Sequence, residues 1–147
     1  KFDAYDQSKA RMKDLPDRAQ RAGASVQVLQ GDPVQQTKTY DLVLLDVPCS
    51  GTGAWRRNPD GKWKFTEDAL RELLAVQENI LTKAEKLTRN SGVLAYVTCS
   101  LLGEENEAQV DRFLQTHSGW AEIDTKRIYP NTGTDGFFLA LFRKRQL

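Results

Sequence analysis

Apolar and polar residues follow one another along the chain in an order that predicts strands and helices in turn. The segment "KFDAY" at residues 1–5 predicts a strand, and residues 7–22 predict a helix with a break near Pro16. A short strand is predicted at "ASVQVLQ". The almost unbroken apolar run of "YDLVLLDV" indicates a central strand that is buried on both faces of a parallel sheet.

The second half of the chain continues this alternation. Thr66 has the position of an N-cap, and apolar residues at helical spacing after it predict a helix that ends at Gly92. "VLAYVTCS" predicts a second buried strand and "EENEAQVDRFLQTH" another helix. The turn "NTGTDG" at residues 131–136 then leads into "FFLALFRK", a last strand that we expect to be antiparallel. Strands alternating with helices predict an α/β sandwich with a mainly parallel sheet.

Length and composition favour one globular domain. The chain has 147 residues, of which 39% are hydrophobic and 28% charged, so we expect a single domain over residues 1–147. It contains no apolar run long enough to span a bilayer and does not begin with a secretory signal, which predicts a cytoplasmic protein without membrane contact. The formal net charge of +1 neither demands nor excludes a nucleic-acid partner.

Two cysteines occupy positions where chemistry is expected. In α/β sheets, ligands bind beyond the carboxyl ends of the strands, and Asp46, Cys49 and Cys99 all fall at such ends. A thiolate there is a strong nucleophile for an electron-poor carbon. The spacing is equally compatible with two inert core residues, since free cysteine is often buried. With the single His117, the two cysteines do not supply the four ligands of a zinc site, so no metal is expected.

Taken as a set, three segments resemble a known family. "DVPCSGTGAWRRNPDGKW", "YVTCSLLGEENEAQVDRFL" and "DGFFLALFRK" resemble the S-adenosylmethionine-dependent RNA cytosine-C5 methyltransferases of the Sun (Fmu) family. The likeness covers nearly the whole chain, with the "PC" and "TCS" elements in the same order. It implies a Rossmann-like class I methyltransferase fold, S-adenosylmethionine as cofactor, and RNA, in particular ribosomal RNA, as partner.

The resemblance also implies roles for five residues. Cys99 matches the nucleophile that adds to C6 of cytosine, and Cys49 matches the cysteine that assists release of the methylated product. Asp46 matches an aspartate that bonds the cytosine edge near N3 and lies close to the cofactor. Asp6 matches the residue that binds the ribose hydroxyls of the cofactor, and Asp32 matches the residue near its adenine.

A basic and aromatic segment is the candidate for RNA contact. In "WRRNPDGKWKF", residues 55–65, Arg56, Arg57 and Lys62 are interleaved with aromatic residues. Cationic groups hold phosphates and aromatic rings stack on bases, so these three side chains are predicted to bind substrate. A surface loop anchored by buried tryptophans has the same composition, and this alternative stays open. "GEENE" predicts a helix start, and no catalytic role is assigned to it.

One feature of the Sun family is missing from the sequence. The family has a first strand and a glycine-rich cofactor loop ahead of the position that Asp6 matches, and neither is present here. We therefore expect an N-terminally incomplete catalytic domain that binds S-adenosylmethionine weakly, with activity of its own in doubt. Unpaired strand edges further predict a dimer, strand exchange or local disorder around residues 1–35.

Three other interpretations remain open. In a DNA cytosine-C5 methyltransferase, the nucleophile would be Cys49, although the "TCS" element argues against that class. A second interpretation is a non-catalytic RNA-binding or scaffold domain. A dithiol redox protein is the third, but the sequence contains no CxxC motif.

Overall fold

The computed structural model describes residues 1–131 and 133–145. The chain divides into two compact units, Lys1–Lys38 and Thr39–Leu147. The prediction of one domain over residues 1–147 stays a prediction. Residue 132, within the predicted turn at 131–136, lies outside the described residues.

The first unit is a small α/β element with a two-stranded parallel sheet. Its elements are β1 (Phe2–Ala4), α1 (Lys9–Met12), α2 (Leu15–Arg21), β2 (Val26–Val28) and a 3-10 turn (Pro33–Gln35). Strands β1 and β2 pair in parallel, with Phe2 opposite Val26. The predicted helix over residues 7–22 is thus two helices, and the expected break near Pro16 is confirmed. Pro16 lies in the first turn of α2, where its missing N–H costs nothing.

The second unit contains a four-stranded mixed sheet. Its elements are β3 (Tyr40–Asp46), a 3-10 turn (Thr52–Ala54), α3 (Gly61–Lys64), α4 (Glu67–Leu87), β4 (Thr88–Thr98), a 3-10 turn (Gly103–Glu105), α5 (Glu107–Thr116), β5 (Trp120–Ile128) and β6 (Phe137–Lys144). The strand order is β3-β4-β6-β5. Strands β3 and β4 are parallel, and β6 is antiparallel to both β4 and β5, so the predicted antiparallel last strand is confirmed.

The prediction that β3 is central and buried on both faces is wrong. Among the described residues of the Thr39–Leu147 unit, β3 lies at the end of the sheet and pairs with β4 alone. Leu42 is 57% exposed and Leu44 is 65% exposed. An apolar run indicates a strand, but pairing with distant segments decides which neighbours cover that strand. This pairing cannot be derived from a single sequence.

The long helix begins where predicted and ends earlier. The hydroxyl of Thr66 accepts a hydrogen bond from the Ala69 amide at 3.2 Å, which confirms the N-cap. The helix ends at Leu87 and β4 begins at Thr88, so the predicted end at Gly92 is wrong. Gly92 lies inside the strand instead. A Cβ there would come within 2.8 Å of a Thr88 methyl group, so this glycine permits close packing and does not end the helix.

Helices α4 and α5 pack on the sheet and close a single hydrophobic core. Leu81 and Ala84 come from α4, and Val110 and Phe113 come from α5. Strands supply the other large members of the core: Leu94, Tyr96, Trp120, Phe138 and Phe142. Burial of each large apolar side chain contributes about 1.5–3 kcal/mol, so this core holds the parallel pair β3-β4 in place. None of the described helices combines the length and the apolar character that crossing a bilayer requires.

Candidate active site

The parallel pairing of β3 and β4 brings two loops together at one edge of the sheet. Asp46, the last residue of β3, lies opposite Val97, and the amide of Val47 continues the pairing by donating to the Val97 carbonyl at 3.2 Å. Because both strands run in the same direction, the chain leaves each of them at the same edge. Cys49 and Cys99 lie on these two loops.

The two thiols are in direct contact. The sulfur atoms of Cys49 and Cys99 are 3.5 Å apart, both residues are half-buried, and neither forms a disulfide. A hydrogen bond from the Cys49 thiol lowers the pKa of Cys99 to about 7, although burial opposes this change. The same hydrogen bond, together with burial, raises the pKa of Cys49. Of the two thiols, Cys99 therefore ionises first, and Cys49 is the one that donates to the thiolate.

Asp46 completes the predicted catalytic group. Its side chain is exposed at the end of β3, and its negative charge opposes ionisation of Cys99 by raising the pKa of that thiol. The structure thus brings Asp46, Cys49 and Cys99 to one edge of the sheet. Their individual roles stay predictions.

A fully buried carboxylate, Glu105, lies behind the thiols, and no pattern in the sequence indicates it. Glu105 Oε1 accepts hydrogen bonds from the Ser50 amide at 2.8 Å and from the Gln77 side chain at 2.9 Å. Glu105 Oε2 accepts from the hydroxyl of Ser50. Gln77 also donates to the Pro48 carbonyl at 2.9 Å. Burying a carboxylate is costly unless several donors surround it, and here three donors do so.

A second set of buried hydrogen bonds surrounds Cys99. The Thr98 hydroxyl donates to Asn106 Oδ1 at 2.7 Å, and the Asn106 amide nitrogen donates to the Ser100 carbonyl at 3.0 Å. The amide of Gly53 donates to the Cys99 carbonyl at 2.9 Å. Thr98, Ser100 and Asn106 are all fully buried. The backbone on both sides of Cys99 is therefore fixed.

Two of the predicted substrate-binding side chains are paired with an acidic residue. Arg56 Nε donates to Asp135 at 2.7 Å, and Arg57 forms a second ion pair with the same carboxylate. The hydrogen bond from Arg56, followed by the charge of Arg57, lowers the pKa of Asp135. The Asp135 side chain is only 7% exposed, whereas Arg56 and Arg57 remain 46% and 68% exposed. The arginines hold the segment before β6 and keep an open face to solvent.

The third predicted substrate-binding residue lies on an open surface. Lys62 is exposed, and its ammonium nitrogen lies 5.6 Å from the ring centroid of Trp63. Trp63 is 81% exposed, whereas Trp55 is half-buried and packs edge-on against Phe65. One tryptophan thus anchors the loop from inside and the other is presented to solvent. Both interpretations of this segment find support in different residues.

The predicted cofactor residues Asp6 and Asp32 lie in the Lys1–Lys38 unit. Both follow parallel strands, so they lie at the same edge of the β1-β2 sheet. Asp6 accepts a hydrogen bond from the Ser8 amide at 2.7 Å. The side chain of Asp32 accepts from the Val34 amide at 3.0 Å and caps the 3-10 turn that follows.

The unit contains a cleft that suits part of a nucleoside. It measures about 380 Å³ and is lined by Asp6, by apolar residues that include Met12 and Val28, and by polar residues that include Lys9 and Lys13. Ligand pockets range from about 300 to 1,000 Å³, so the cleft accommodates a ribose and part of a base. The Asp6 carboxylate at this cleft carries two acceptor oxygens, the kind of group that ribose hydroxyls bond. These residues fit S-adenosylmethionine, whereas Asp32 is not among the described residues that line the cleft.

Comparison with known proteins identifies the family. A family model described as 16S rRNA methyltransferase RsmB/F matches residues 1–143. The chain belongs to this family. The match confirms the resemblance to the Sun family that the motifs indicate, and members of the family use S-adenosylmethionine.

Curated relatives of the chain are ribosomal RNA methyltransferases. The chain is 37% identical over 151 residues to ribosomal RNA small subunit methyltransferase B of Serratia proteamaculans, and the match covers 93% of this chain and 35% of the relative. The probable ribosomal RNA small subunit methyltransferase B of Synechocystis is 35% identical over 157 residues, covering 91% of this chain and 35% of the relative. The chain thus spans about a third of the length of these relatives.

Solved structures confirm the Rossmann-like fold. The crystal structure of PH0851 superposes with a TM-score of 0.90 at 34% identity, covering 98% of this chain and 37% of that one. NSun6 from Pyrococcus horikoshii with SFG gives a TM-score of 0.83 at 28% identity, covering 99% of this chain and 41% of that one.

Proposed function

We propose that the full-length protein methylates C5 of a cytosine in ribosomal RNA through a covalent bond between Cys99 and C6 of the base. The observation that carries this proposal is the contact of the two thiols, whose sulfur atoms are 3.5 Å apart. A pKa of about 7 for Cys99 supports it, because the attacking group must be a thiolate at neutral pH. The family match to 16S rRNA methyltransferases supports the choice of RNA.

The first step is addition of Cys99 to the base. The Cys99 sulfur donates an electron pair to C6, the S–C6 bond forms, and the C5–C6 π electrons are pushed toward C5 and N3. A hydrogen bond between Asp46 and the cytosine edge near N3 limits the charge that develops there. Bound S-adenosylmethionine would supply the methyl group for C5 and would leave as S-adenosylhomocysteine. The target base must be unstacked to reach the two loops.

The second step releases the product. The proton on C5 passes to water, the electrons of the C5–H bond restore the C5–C6 double bond, and the S–C6 bond breaks with its electron pair on Cys99. The Cys49 thiol stabilises this leaving thiolate by the same hydrogen bond that stabilises it before addition. The same contact therefore stabilises the Cys99 thiolate before the S–C6 bond forms and after it breaks. We expect loss of Cys49 to slow cleavage of the S–C6 bond more than its formation.

Binding of the two substrates is assigned to other parts of the chain. Asp6 is proposed to bind the ribose hydroxyls of the cofactor, Asp32 to lie near its adenine, and Asp46 to lie close to it. For RNA, the exposed faces of Arg56, Arg57 and Lys62 are proposed to contact phosphates. The exposed ring of Trp63 is proposed to stack on a base.

Substitution of each cysteine in the full-length protein tests the mechanism. Cys99→Ala should abolish both methylation and any covalent protein–RNA adduct, because no other side chain forms the bond to C6. Cys49→Ala should still form the bond and fail to break it, so the adduct accumulates. A denaturing gel measures the adduct as a slower band that is sensitive to ribonuclease and depends on the cofactor.

The same gel distinguishes the alternatives. Trapping in Cys99→Ala with none in Cys49→Ala would give the nucleophile to Cys49, as in DNA cytosine-C5 methyltransferases. Unimpaired methylation by both variants would contradict covalent catalysis altogether. Absence of methylation and of adduct in the wild-type protein would favour a non-catalytic RNA-binding role.

A further inference from the structure

Glu105 and Asn106 are adjacent in sequence, fully buried, and bonded to different cysteine loops. Glu105 bonds the loop that carries Cys49, and Asn106 bonds the loop that carries Cys99. Full burial of Glu105 is unusual, because glutamate is almost never fully buried unless it is paired. Exposed Glu104 beside them shows the ordinary case.

The contacts of Glu105 enclose Cys49 from both sides. After Cys49, the amide and the hydroxyl of Ser50 both donate to the Glu105 carboxylate. Before Cys49, the Pro48 carbonyl is held by Gln77, and Gln77 donates in turn to Glu105 at 2.9 Å. The backbone on either side of the Cys49 thiol is thus tied to one carboxylate.

The contacts around Cys99 use a different set of side chains. Thr98 and Ser100 flank it, and both are bonded to Asn106 at 2.7 and 3.0 Å. In the part of the chain that the structure describes, the Glu105 carboxylate bonds Ser50 and Gln77 and neither flank of Cys99. The two sets touch through the hydroxyls of Ser50 and Ser100, which are 3.1 Å apart.

We propose that Glu105 is a positioning residue for Cys49 and so acts mainly on release of the methylated RNA. This inference rests on the proposed function, in which Cys49 stabilises the departing Cys99 thiolate. Its physical basis is the direction of the Cys49 thiol: a rotation of the Pro48–Ser50 loop would take the donor away from a sulfur only 3.5 Å distant. A carboxylate is required because one group must accept three donors at once, and an amide has only one acceptor oxygen.

The test is Glu105→Gln in the full-length protein, assayed for turnover and for adduct. An amide at this position turns its NH₂ group toward one of the three donors, so the loop loses its fixed position. We expect turnover to fall roughly 10- to 100-fold while the covalent adduct accumulates, as in Cys49→Ala. Glu104→Gln, at the exposed neighbouring position, is the matched control and should behave as wild type.

Thr98→Val provides the contrast on the other loop. It removes the hydroxyl between Asn106 and the Ser100 amide with little change in shape. We expect slower adduct formation without accumulation, because this loop carries the nucleophile. If Glu105 had only a structural role, Glu105→Gln would form the adduct slowly, as Thr98→Val does. Accumulation of adduct in Glu105→Gln together with slow formation in Thr98→Val would exclude that role.

Two outcomes would overturn the inference. One is wild-type turnover without adduct in Glu105→Gln, and the other is loss of adduct formation in a folded Glu105→Gln protein. If that variant does not fold, Ser50→Ala takes its place, since it removes one donor to the same carboxylate; it should accumulate adduct, and wild-type behaviour would refute the proposal. Failure of the proposed function itself is recognised separately, by methylation that survives Cys99→Ala.

Discussion

At the scale of single residues, hydrogen bonding makes two identical side chains chemically different. Cys49 and Cys99 are both half-buried thiols, yet one acquires a raised pKa and the other a pKa of about 7. The difference arises because a thiolate is stabilised by a neighbouring S–H donor, and only one member of the pair ionises at a time. The negative charges of Asp46 and Glu105 act against Cys99 ionisation, so the Cys49 hydrogen bond is the dominant stabilising contact.

The rate at which Cys99 is alkylated should therefore change with pH near neutrality, and the midpoint of this change should depend on Cys49. In the wild-type protein, the rate of modification of Cys99 by iodoacetamide should rise with pH to a midpoint near 7. In Cys49→Ala the donor is lost, so the midpoint should move upward, toward or above the ordinary thiol value of about 8.5. Mass spectrometry of the modified peptide measures the rate, and Cys99→Ala confirms the assignment. An unchanged midpoint in Cys49→Ala would show that the contact does not control ionisation.

At the scale of elements, the site depends on close contact between the backbones of three loops. The Gly53 amide donates to the Cys99 carbonyl, and the Gly136 amide donates to the Gly53 carbonyl at 3.0 Å. A Cβ at Gly53 would lie 2.6 Å from the Gly136 oxygen and 2.8 Å from the Cys99 oxygen. The loop after β3 thus bridges the loop after β4 and the segment before β6, and this contact is open only to glycine.

Gly53→Ala should destabilise the protein and disturb the thiols together. The new methyl group meets backbone atoms that cannot turn aside, so we expect a loss of about 1–3 kcal/mol in the free energy of unfolding. Denaturant titration measures this loss, and Gly103→Ala is the control, since its Cβ would lie 3.7 Å from the nearest atom. The control should change stability by no more than about 0.5 kcal/mol. Equal stability of the two variants would argue against the close contact.

At the scale of the whole molecule, apolar burial is divided unequally between the two units. Within Lys1–Lys38, all of which the structure describes, Ala19 is the only buried apolar residue. In Thr39–Leu147, the core includes Leu94 and Tyr96 of β4 and Phe138 and Phe142 of β6, each fully buried. Local stability follows apolar burial, so the second unit should hold its hydrogen bonds longer.

Hydrogen exchange of the 147-residue chain should separate the two units. We expect amides of β4 and β6 to be the slowest to exchange, because both strands are hydrogen-bonded within the sheet and carry the core. Amides of β1 and β2 should exchange markedly faster. Mass spectrometry after pepsin digestion resolves these segments. Equal protection of β1 and β4 would show that burial within each unit does not set local stability here.

The sequence by itself determined the family, the kinds of element and the residues that lie at strand ends. Thr66 as a cap, the break near Pro16 and the antiparallel "FFLALFRK" strand follow from local rules, since capping, missing donors and alternation act over a few residues. The motifs that mark Cys49 and Cys99 are equally local, and the family match confirms the resemblance that they carry.

Only the tertiary structure decided what depends on distant neighbours. The end position of β3, the exposed leucines on it and the polar edge strand β5, which was not predicted, are consequences of long-range pairing. Nothing in "GEENE" tells which carboxylate is buried; Glu105 is chosen because Ser50 and Gln77, 55 and 28 positions away, supply its donors. Asp135 was missed for the same reason, since its arginine partners lie in another loop. Removal of water from a carboxylate is tolerated only where donors replace the water. Those donors come together only when the chain has folded.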